Sequence, residues 1–336
     1  MSAQGAWSRW RSVFSALALL GVSACGPSDP SDAPAAVSAD PAPGGPLVPV
    51  LPAPRVPAAD SSGTLTWTGC DISKKAYMAE AVEAYEKATG IRIVVTGGGA
   101  TRGIRATVGG QSDLGGACRQ CLPDDFPDEE GGARLTHVAW DALVFFTHPK
   151  NTVDGLSSAQ AMQILLGEIR DWRELGGEPN RILPAFRRQT VAGKLSGVGY
   201  MTRLMLFGDP TIDYTDEAIF HRSSGPIEEF VEGTPHSFAV TGVSSAARRD
   251  VKVLALDGVK PTKETISSGA YRLFRPLFLV TRGEPQGEAL AFLDWITSPE
   301  GQEVLSLQGT VNLEEGMKLG AEYAHWPADP DLIRNR

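Results

Sequence analysis

The sequence has no excess of positive charge. It contains 31 lysines and arginines against 40 aspartates and glutamates, which gives a formal net charge of −9 and a pI near 5.2. A nucleic-acid-binding protein would present a basic face, so this composition argues against that class of function. It does not argue against a site for a small anion, because such sites use local backbone amides and one or two arginines whatever the net charge.

Motifs that mark common enzyme classes are also missing. No G-x-S-x-G or H-E-x-x-H occurs, and Ser196 has no histidine at a useful spacing. The histidines are few and lack the spacing of a metal site: His137, His148, His221, His236 and His325. The acidic cluster at 124–130 is expected to be solvated, within a loop at 122–133. We therefore expect no enzymatic activity and no cofactor.

No apolar run is long enough to cross a bilayer. Residues 13–22 form an apolar stretch that is too short, but it follows two arginines, and this pattern predicts a signal peptide over 1–24. The stretch ends in V-S-A-C, which resembles the bacterial lipobox and predicts lipidation of Cys25. This interpretation places the protein in the periplasm or on the cell surface, anchored to the membrane by lipid. An ordinary signal peptide with an incidental cysteine stays open as an alternative.

A proline-rich segment follows the signal peptide. Residues 25–63 alternate proline with alanine, serine, aspartate and valine, which cannot build a core and predicts an extended tether. Folded sequence begins near Thr64. The whole chain has 336 residues and 42% hydrophobic content, enough for roughly two domains with ample core.

Thiols and glycines follow the first predicted strands. We predict strands at 65–68, 91–95 and 113–116, a helix at 73–89, and a short helix that opens in the glycine run at 96–103. Cys70 follows the first strand, the glycine run follows the second, and Cys118 follows the third. Strands joined by helices run parallel, and ligands of open α/β sheets bind at the shared carboxyl edge of such strands. The sequence therefore predicts an α/β protein with a ligand crevice at this edge.

The same alternation continues along the chain. We predict further strands at 135–146, 181–186, 237–243, 251–256 and 275–281, and helices at 157–166, 200–207, 227–231, 288–296 and 299–308. The two halves are typical of two α/β lobes. The chain is expected to cross between them near 147–153 and to return near 243–253.

Several ordered strings resemble one known family, the periplasmic phosphate-binding proteins of ABC importers. The strings are D-L-G-G-A-C-R at 113–119, I-L-L-G-E-I at 164–169, I-S-S-G-A-Y at 266–271 and S-P-E-G-Q at 298–302. The resemblance covers most of residues 64–312. It implies a two-lobed type II periplasmic binding protein fold with the ligand crevice between the lobes. We expect lobe 1 at 64–148 and 250–325, lobe 2 at 149–249, and a C-terminal tail at 326–336.

The resemblance also implies a set of ligand-binding residues in lobe 1. Members of the family hold an oxyanion with hydroxyls and amides at strand ends and helix starts, and with an arginine. Cys70 and Cys118 stand where the family usually has hydroxyl residues. The hydroxyl of Thr101 and the amides of Gly98, Gly99 and Ala100 are expected at the glycine run. Arg119 matches an arginine found in a broad branch of the family.

In lobe 2, the family pattern is an arginine followed by Ser-Gly-Thr. Ser196 and Gly197 match it, but Val198 replaces the threonine. The candidate arginines are Arg187 and Arg188, several residues earlier than usual, with Lys194 nearer. The resemblance implies phosphate or a similar small oxyanion as ligand and an ABC permease or sensor protein as partner. We expect a monomer that contacts the membrane only through its lipid and binds no nucleic acid.

The cysteines allow other interpretations. Cys118 and Cys121 form a C-x-x-C without a following histidine, which argues against attached haem. In an oxidising compartment two of Cys70, Cys118 and Cys121 can form a disulfide, most simply Cys118–Cys121 or one of these with Cys70. Alternatively, all three thiols can bind a thiophilic metal ion or arsenite, or Cys118 and Cys121 can act as a thiol-disulfide redox pair. A last alternative is that the cysteines are free and inert and stand in for serine.

Overall fold

The computed structural model describes residues 63–187 and 196–323, which all belong to one compact unit of the chain. The predicted signal peptide, the lipidation site Cys25, the tether and the 326–336 tail lie outside the described residues, as do Arg188 and Lys194. Among the helices of the described ranges, none has the length and apolar character needed to span a membrane.

The strands and helices alternate, as the α/β prediction requires. The strands are β1 (Thr64–Gly69), β2 (Arg92–Gly97), β3 (Leu114–Ala117), β4 (Ala133–Thr147), β5 (Gly155–Leu156), β6 (Leu183–Arg187), β7 (Ile219–His221), β8 (Ser237–Gly242), β9 (Lys252–Val253), β10 (Ala255–Leu256) and β11 (Phe274–Arg282). The helices are α1 (Asp71–Ser73), α2 (Ala79–Thr89), α3 (Ala100–Val108), α4 (Pro127–Glu130), α5 (Ser158–Leu166), α6 (Gly197–Phe207), α7 (Ser224–Gly233), α8 (Val243–Ala246), α9 (Lys263–Ser267), α10 (Gly287–Thr297), α11 (Pro299–Leu307) and α12 (Leu319–Tyr323). A π-helical turn at Lys74–Met78 joins α1 to α2, and a 3-10 turn covers Trp172–Leu175.

Most strands form one mixed sheet, in the order β2-β1-β3-β11-β4-β8-β6-β7. β2 and β3 flank β1, and both run parallel to it. Gly69 at the end of β1 lies opposite Gly97 of β2 and Gly116 of β3, so the three strands end at the same level. The predicted shared edge is therefore confirmed for the first three strands.

β4 connects the two halves of the sheet. Nine of its first ten residues, as far as Ala142, pair with β11, whereas Leu143 to Thr147 pair with β8. Every residue from Val138 to Thr147 is buried because neighbouring elements cover both faces of the strand. This long strand confirms the apolar strand predicted at 135–146.

The strand predicted at 251–256 is two short strands. β9 bonds to Phe146 and Thr147 of β4, whereas β10 bonds to β5 in a separate two-stranded sheet. The ladder breaks because the chain changes partners at Leu254, whose amide donates to the carbonyl of Phe145. These residues therefore bond to the same end of β4 as β8 does.

The helix predicted at 73–89 is confirmed as a continuous helical segment from Asp71 to Thr89. Gly90 ends it in the left-handed conformation, with φ of 76°. The π turn inside the segment has no signature in the sequence. The solvated loop predicted at 122–133 was wrong in one part, because α4 lies within it and Glu130 at the end of α4 is fully buried.

Candidate functional site

Three helix starts meet at the carboxyl edge of β1, β2 and β3. Cys70 is the N-cap of the helical segment after β1, Gly99 is the N-cap of α3 after β2, and Ser196 is the N-cap of α6. α6 begins against the other two: a Cβ atom on Gly197 would lie 2.7 Å from Cys118 Sγ and 3.0 Å from Ala100 Cβ. Only a glycine allows this approach. The start of α6 therefore packs directly against Ala100, which follows β2, and Cys118, which follows β3.

The glycine run makes the turn that aims α3 at this place. Gly99 has φ of 97°, a conformation that residues with a side chain rarely adopt. Its amide donates to the carbonyl of Gly69 at 3.2 Å, which ties the turn to the end of β1. α3 begins at Ala100, and the first amides of an α-helix have no partners within the helix itself. They carry the partial positive charge of the helix start.

Cys70 and Cys118 lie side by side in the buried part of the site. Cys70 Sγ accepts from the amide of Ser73 at 3.2 Å and lies 3.0 Å from Ser73 Oγ. The Cys70 and Cys118 thiols are close enough for each to alter the pKa of the other. Cys118 follows β3 and is as buried as Cys70.

The two thiols differ in acidity. Burial raises the pKa of Cys70 well above its usual value, and the neighbouring Cys118 raises it further. In contrast, the hydrogen bond from Cys70 lowers the pKa of Cys118 to about 7 against the effect of burial, and the charge of Arg275 contributes. Cys118 is therefore the thiol of the pair that ionises first.

The Arg119 guanidinium forms hydrogen bonds with other side chains of the protein. Its guanidinium donates to both carboxylate oxygens of Glu130, at 2.8 and 2.9 Å, and both side chains are fully buried. The same guanidinium donates to Thr101 Oγ1 at 2.9 Å. Arg119 therefore holds Thr101 at the start of α3, and its charge is compensated by Glu130. The interpretation of Glu130 as a solvated acid was wrong for this reason.

Arg187 lies close enough to Asp71 and Cys118 for their charges to act on it. It is the last residue of β6, half-buried, and burial lowers its pKa while the charges of Asp71 and Cys118 act in the opposite direction. In the described ranges no carboxylate forms an ion pair with it. Asp71 lies beside the end of β2, where its Oδ1 would be 2.5 Å from a Cβ on Gly97. The crevice thus holds an arginine and a carboxylate that the structure does not pair.

Cys121 does not join the other two thiols. Its pKa is raised to about 12, chiefly by burial and then by the charge of Glu130. All three cysteines in the described ranges are unpaired. No group of three or more histidines, cysteines, aspartates or glutamates in those ranges could hold a metal ion. The described residues therefore do not assemble the predicted three-thiol site.

A second buried ion pair supports the floor of the site. Asp141 of β4 accepts from Arg275 Nη2 at 3.1 Å and from the amide and hydroxyl of Ser244, at 3.2 and 2.8 Å. Arg275 Nη1 reaches the carbonyl of Cys118 at 3.5 Å. The pair joins β4, β11 and the start of α8 beneath Cys118.

The structure thus brings together most of the predicted site residues. Grouped at the crevice are Cys70, Gly98, Gly99, Ala100, Thr101, Cys118, Ser196 and Gly197. Arg119 supports the site from the protein side, and Arg188 lies outside the described residues. The sequence interpretation missed Asp71 and Arg275. Asp71 could have been found, because it is the first residue of a helix that follows a strand end.

Comparison with known proteins agrees with this geometry. A family model described as "PBP superfamily domain" matches residues 57–300. The phosphate-binding protein PstS of Bacillus subtilis is 26% identical over 257 residues, covering 75% of this chain and 81% of that protein. The phosphate-binding protein PstS of Borreliella burgdorferi is 29% identical over 190 residues, covering 55% of this chain and 68% of that protein.

Solved structures match over a similar share of the chain. A phosphate ABC transporter substrate-binding protein of Clostridium perfringens, solved with bound phosphate, aligns with a TM-score of 0.67 at 24% identity. It covers 74% of this chain and 99% of that chain. An ABC-type phosphate transport receptor of Vibrio cholerae aligns with a TM-score of 0.56 at 20% identity, with the same coverage. These likenesses establish the fold. The chain belongs to the PBP superfamily domain family and has its two-lobed type II periplasmic binding fold.

Proposed function

We propose that this protein is an exported solute-binding protein that captures phosphate or a similar tetrahedral oxyanion for an ABC importer or a sensor. One observation carries the proposal: three helix starts and Arg187 converge on the crevice around Cys118. The chain binds a ligand and does not catalyse a reaction, in keeping with its family.

The helix starts supply the main attraction for an anion. Each presents unpaired amides and about half a positive charge, so the three together favour a compact group with several acceptor oxygens. Ser196 and Cys70 use their side chains to cap Gly199 and Ser73, which leaves the first amides of both helices for the ligand. A tetrahedral oxyanion can accept hydrogen bonds from amides of several helix starts at once.

Arg187 and Asp71 add charge and selectivity. A guanidinium donates charge-assisted hydrogen bonds worth about 1.5–3 kcal/mol each. A carboxylate only accepts hydrogen bonds, so Asp71 attracts an oxyanion that carries a proton and repels one that carries none. Phosphate keeps a proton near neutral pH, whereas sulfate does not. The arrangement of these two residues in the crevice therefore favours phosphate over sulfate.

The remaining proposals concern where the protein is located and which partner it serves. A lipid on Cys25 and the proline-rich tether at 25–63 would hold a monomeric binding unit near the membrane of the periplasm or cell surface. An ABC permease or a sensor protein would receive the ligand-bound form. Replacing Cys25 by serine should release the protein from the membrane fraction without changing ligand affinity.

Thermal unfolding in the presence of phosphate or sulfate tests the identity of the ligand. Phosphate at a hundredfold excess over its Kd should add about 2.7 kcal/mol to the free energy of unfolding, and sulfate at the same concentration should add much less. Arg187→Ala should weaken phosphate binding in calorimetry by about 10- to 150-fold, the loss of one charge-assisted bond. Arg181→Ala, an exposed arginine of the same region, is the matched control. No stabilisation by phosphate, or equal binding by the two arginine variants, would reject the proposal.

A further inference from the structure

Cys70 and Cys118 follow the ends of neighbouring strands. β1 and β3 are parallel, Gly69 lies opposite Gly116, and the Cys70 amide donates to the Gly116 carbonyl at 3.0 Å. Cys118 is thus one residue beyond the position opposite Cys70. Strand spacing and rise place the two Cα atoms about 6 Å apart, within the range of natural disulfides. Their thiols are also close enough for each to alter the pKa of the other.

The second half of the protein covers this pair. Cys70 is 4% exposed and Cys118 is 2% exposed. The cover over Cys118 is the start of α6, because Gly197 packs against its Sγ. In a hinged two-lobed fold, opening moves α6 away and uncovers the thiols. We propose that Cys70 and Cys118 form a reversible disulfide when the protein is open, and that closure over the ligand protects them from oxidation.

The chemistry is thiol–disulfide exchange, with a small-molecule or protein disulfide as oxidant. The Cys118 thiolate attacks one sulfur of the oxidant, forms a mixed disulfide and releases one thiolate. Cys70 then loses its proton to that thiolate and attacks Cys118 Sγ, which releases the second thiolate. Two protein thiols are oxidised, and the oxidant is reduced to two thiols. The positive charges of Arg275 and Arg119 near Cys118 favour the attacking thiolate.

Oxidation should weaken ligand capture, a consequence that rests on the proposed function. The disulfide draws Cys70 Sγ away from the Ser73 amide that it caps, which disturbs the helix start after β1. We expect oxidised protein to bind phosphate about tenfold or more weakly than reduced protein. Cys121 is not expected to share this behaviour, because burial and the charge of Glu130 raise its pKa and favour the protonated thiol.

The test uses the full chain with Cys25→Ser, which leaves three cysteines. The reduced protein is incubated with oxidised glutathione, quenched with acid, alkylated in denaturant and mapped by mass spectrometry. The expected product is a cross-linked peptide pair containing Cys70 and Cys118, with Cys121 alkylated. Three alkylated cysteines, or a bridge that includes Cys121, would overturn the proposal. Cys121→Ser should oxidise at the same rate, whereas Cys118→Ser should form no internal bridge.

The rate of disulfide formation in the presence of phosphate tests whether closure protects the two thiols. At a hundredfold excess over its Kd, only about 1% of the protein is open, so bridge formation should slow about hundredfold. An unchanged rate in protein that a thermal melt shows to be saturated with phosphate would overturn the protective role of α6. If the melt shows no phosphate binding, the proposed function fails, and the peptide map still decides whether the disulfide forms.

Discussion

Replacing Glu130 by alanine should strongly destabilise the protein, although the residue lies in a segment rich in exposed acids. Glu130 Oε1 and Oε2 accept from Arg119, Oε2 also accepts from the Leu122 amide at 3.0 Å, and Oε1 lies 3.3 Å from Arg105 Nε. Alanine would leave the Arg119 guanidinium buried without its counter-charge. Removing one partner of a fully buried ion pair costs about 3–5 kcal/mol.

Urea and thermal unfolding measure this loss. For a folded unit of this size, about 3–5 kcal/mol corresponds to a fall in Tm of about 6–20 °C. Glu129→Ala is the matched control. Glu129 also pairs with Arg105 at 3.3 Å, but half of its side chain is exposed, so its loss should cost at most about 1 kcal/mol. Similar losses for the two variants would refute the reasoning.

The stability that Glu130 contributes should disappear in acid. Burial alone would raise the pKa of Glu130, but the hydrogen bonds and charge of Arg119 outweigh burial, and the pKa is lowered. A carboxyl whose pKa is lower in the folded protein stabilises it fully above the unfolded pKa, about 4.3, and loses that effect as the pH falls through the folded pKa. The difference between wild type and Glu130→Ala should therefore shrink below about pH 4. A constant difference down to pH 2 would contradict the ionic origin of the effect.

Three further predictions concern the crevice and the contact between the two halves. Gly197→Val should lower phosphate affinity about 5- to 150-fold in calorimetry, since its side chain would overlap Cys118 Sγ, whereas Gly225→Val, where a Cβ meets no atom within 4 Å, should bind normally. As the pH rises through about 7, phosphate affinity should fall more steeply in wild type than in Cys118→Ser. The reason is that the hydrogen bond from Cys70 lowers the Cys118 pKa to about 7, and the thiolate formed above that pH repels the ligand. Parallel pH profiles of the two proteins would contradict this. Lys75 Nζ donates to Glu228 at 2.6 Å and links the helical segment after β1 to α7. Lys75→Met should therefore weaken phosphate binding by up to about fivefold, although this lysine is not among the ligand-binding residues. An affinity equal to wild type would show that this ion pair does not stabilise the closed form.

Local patterns predicted most of the elements that build the crevice. The helix before Gly90, the strand inside β4 and the glycine turn before α3 each depend on residues close together in sequence. The level edge of β1, β2 and β3 followed as well, because strands linked by helices must run parallel. Short elements such as β7 and α9 were missed, since three to five residues carry too little periodicity to predict an element.

The sequence by itself determined the fold class, the shared strand edge and the residue types that reach it, since these depend on local periodicity and on chain connectivity. Only the tertiary structure decided which of those residues contact each other. It placed Cys118 near Cys70, paired Arg119 with Glu130, and brought Arg187 within reach of the charges of Asp71 and Cys118. The physical reason is that burial and charge compensation depend on groups brought together from distant parts of the chain, and no local pattern records those distances.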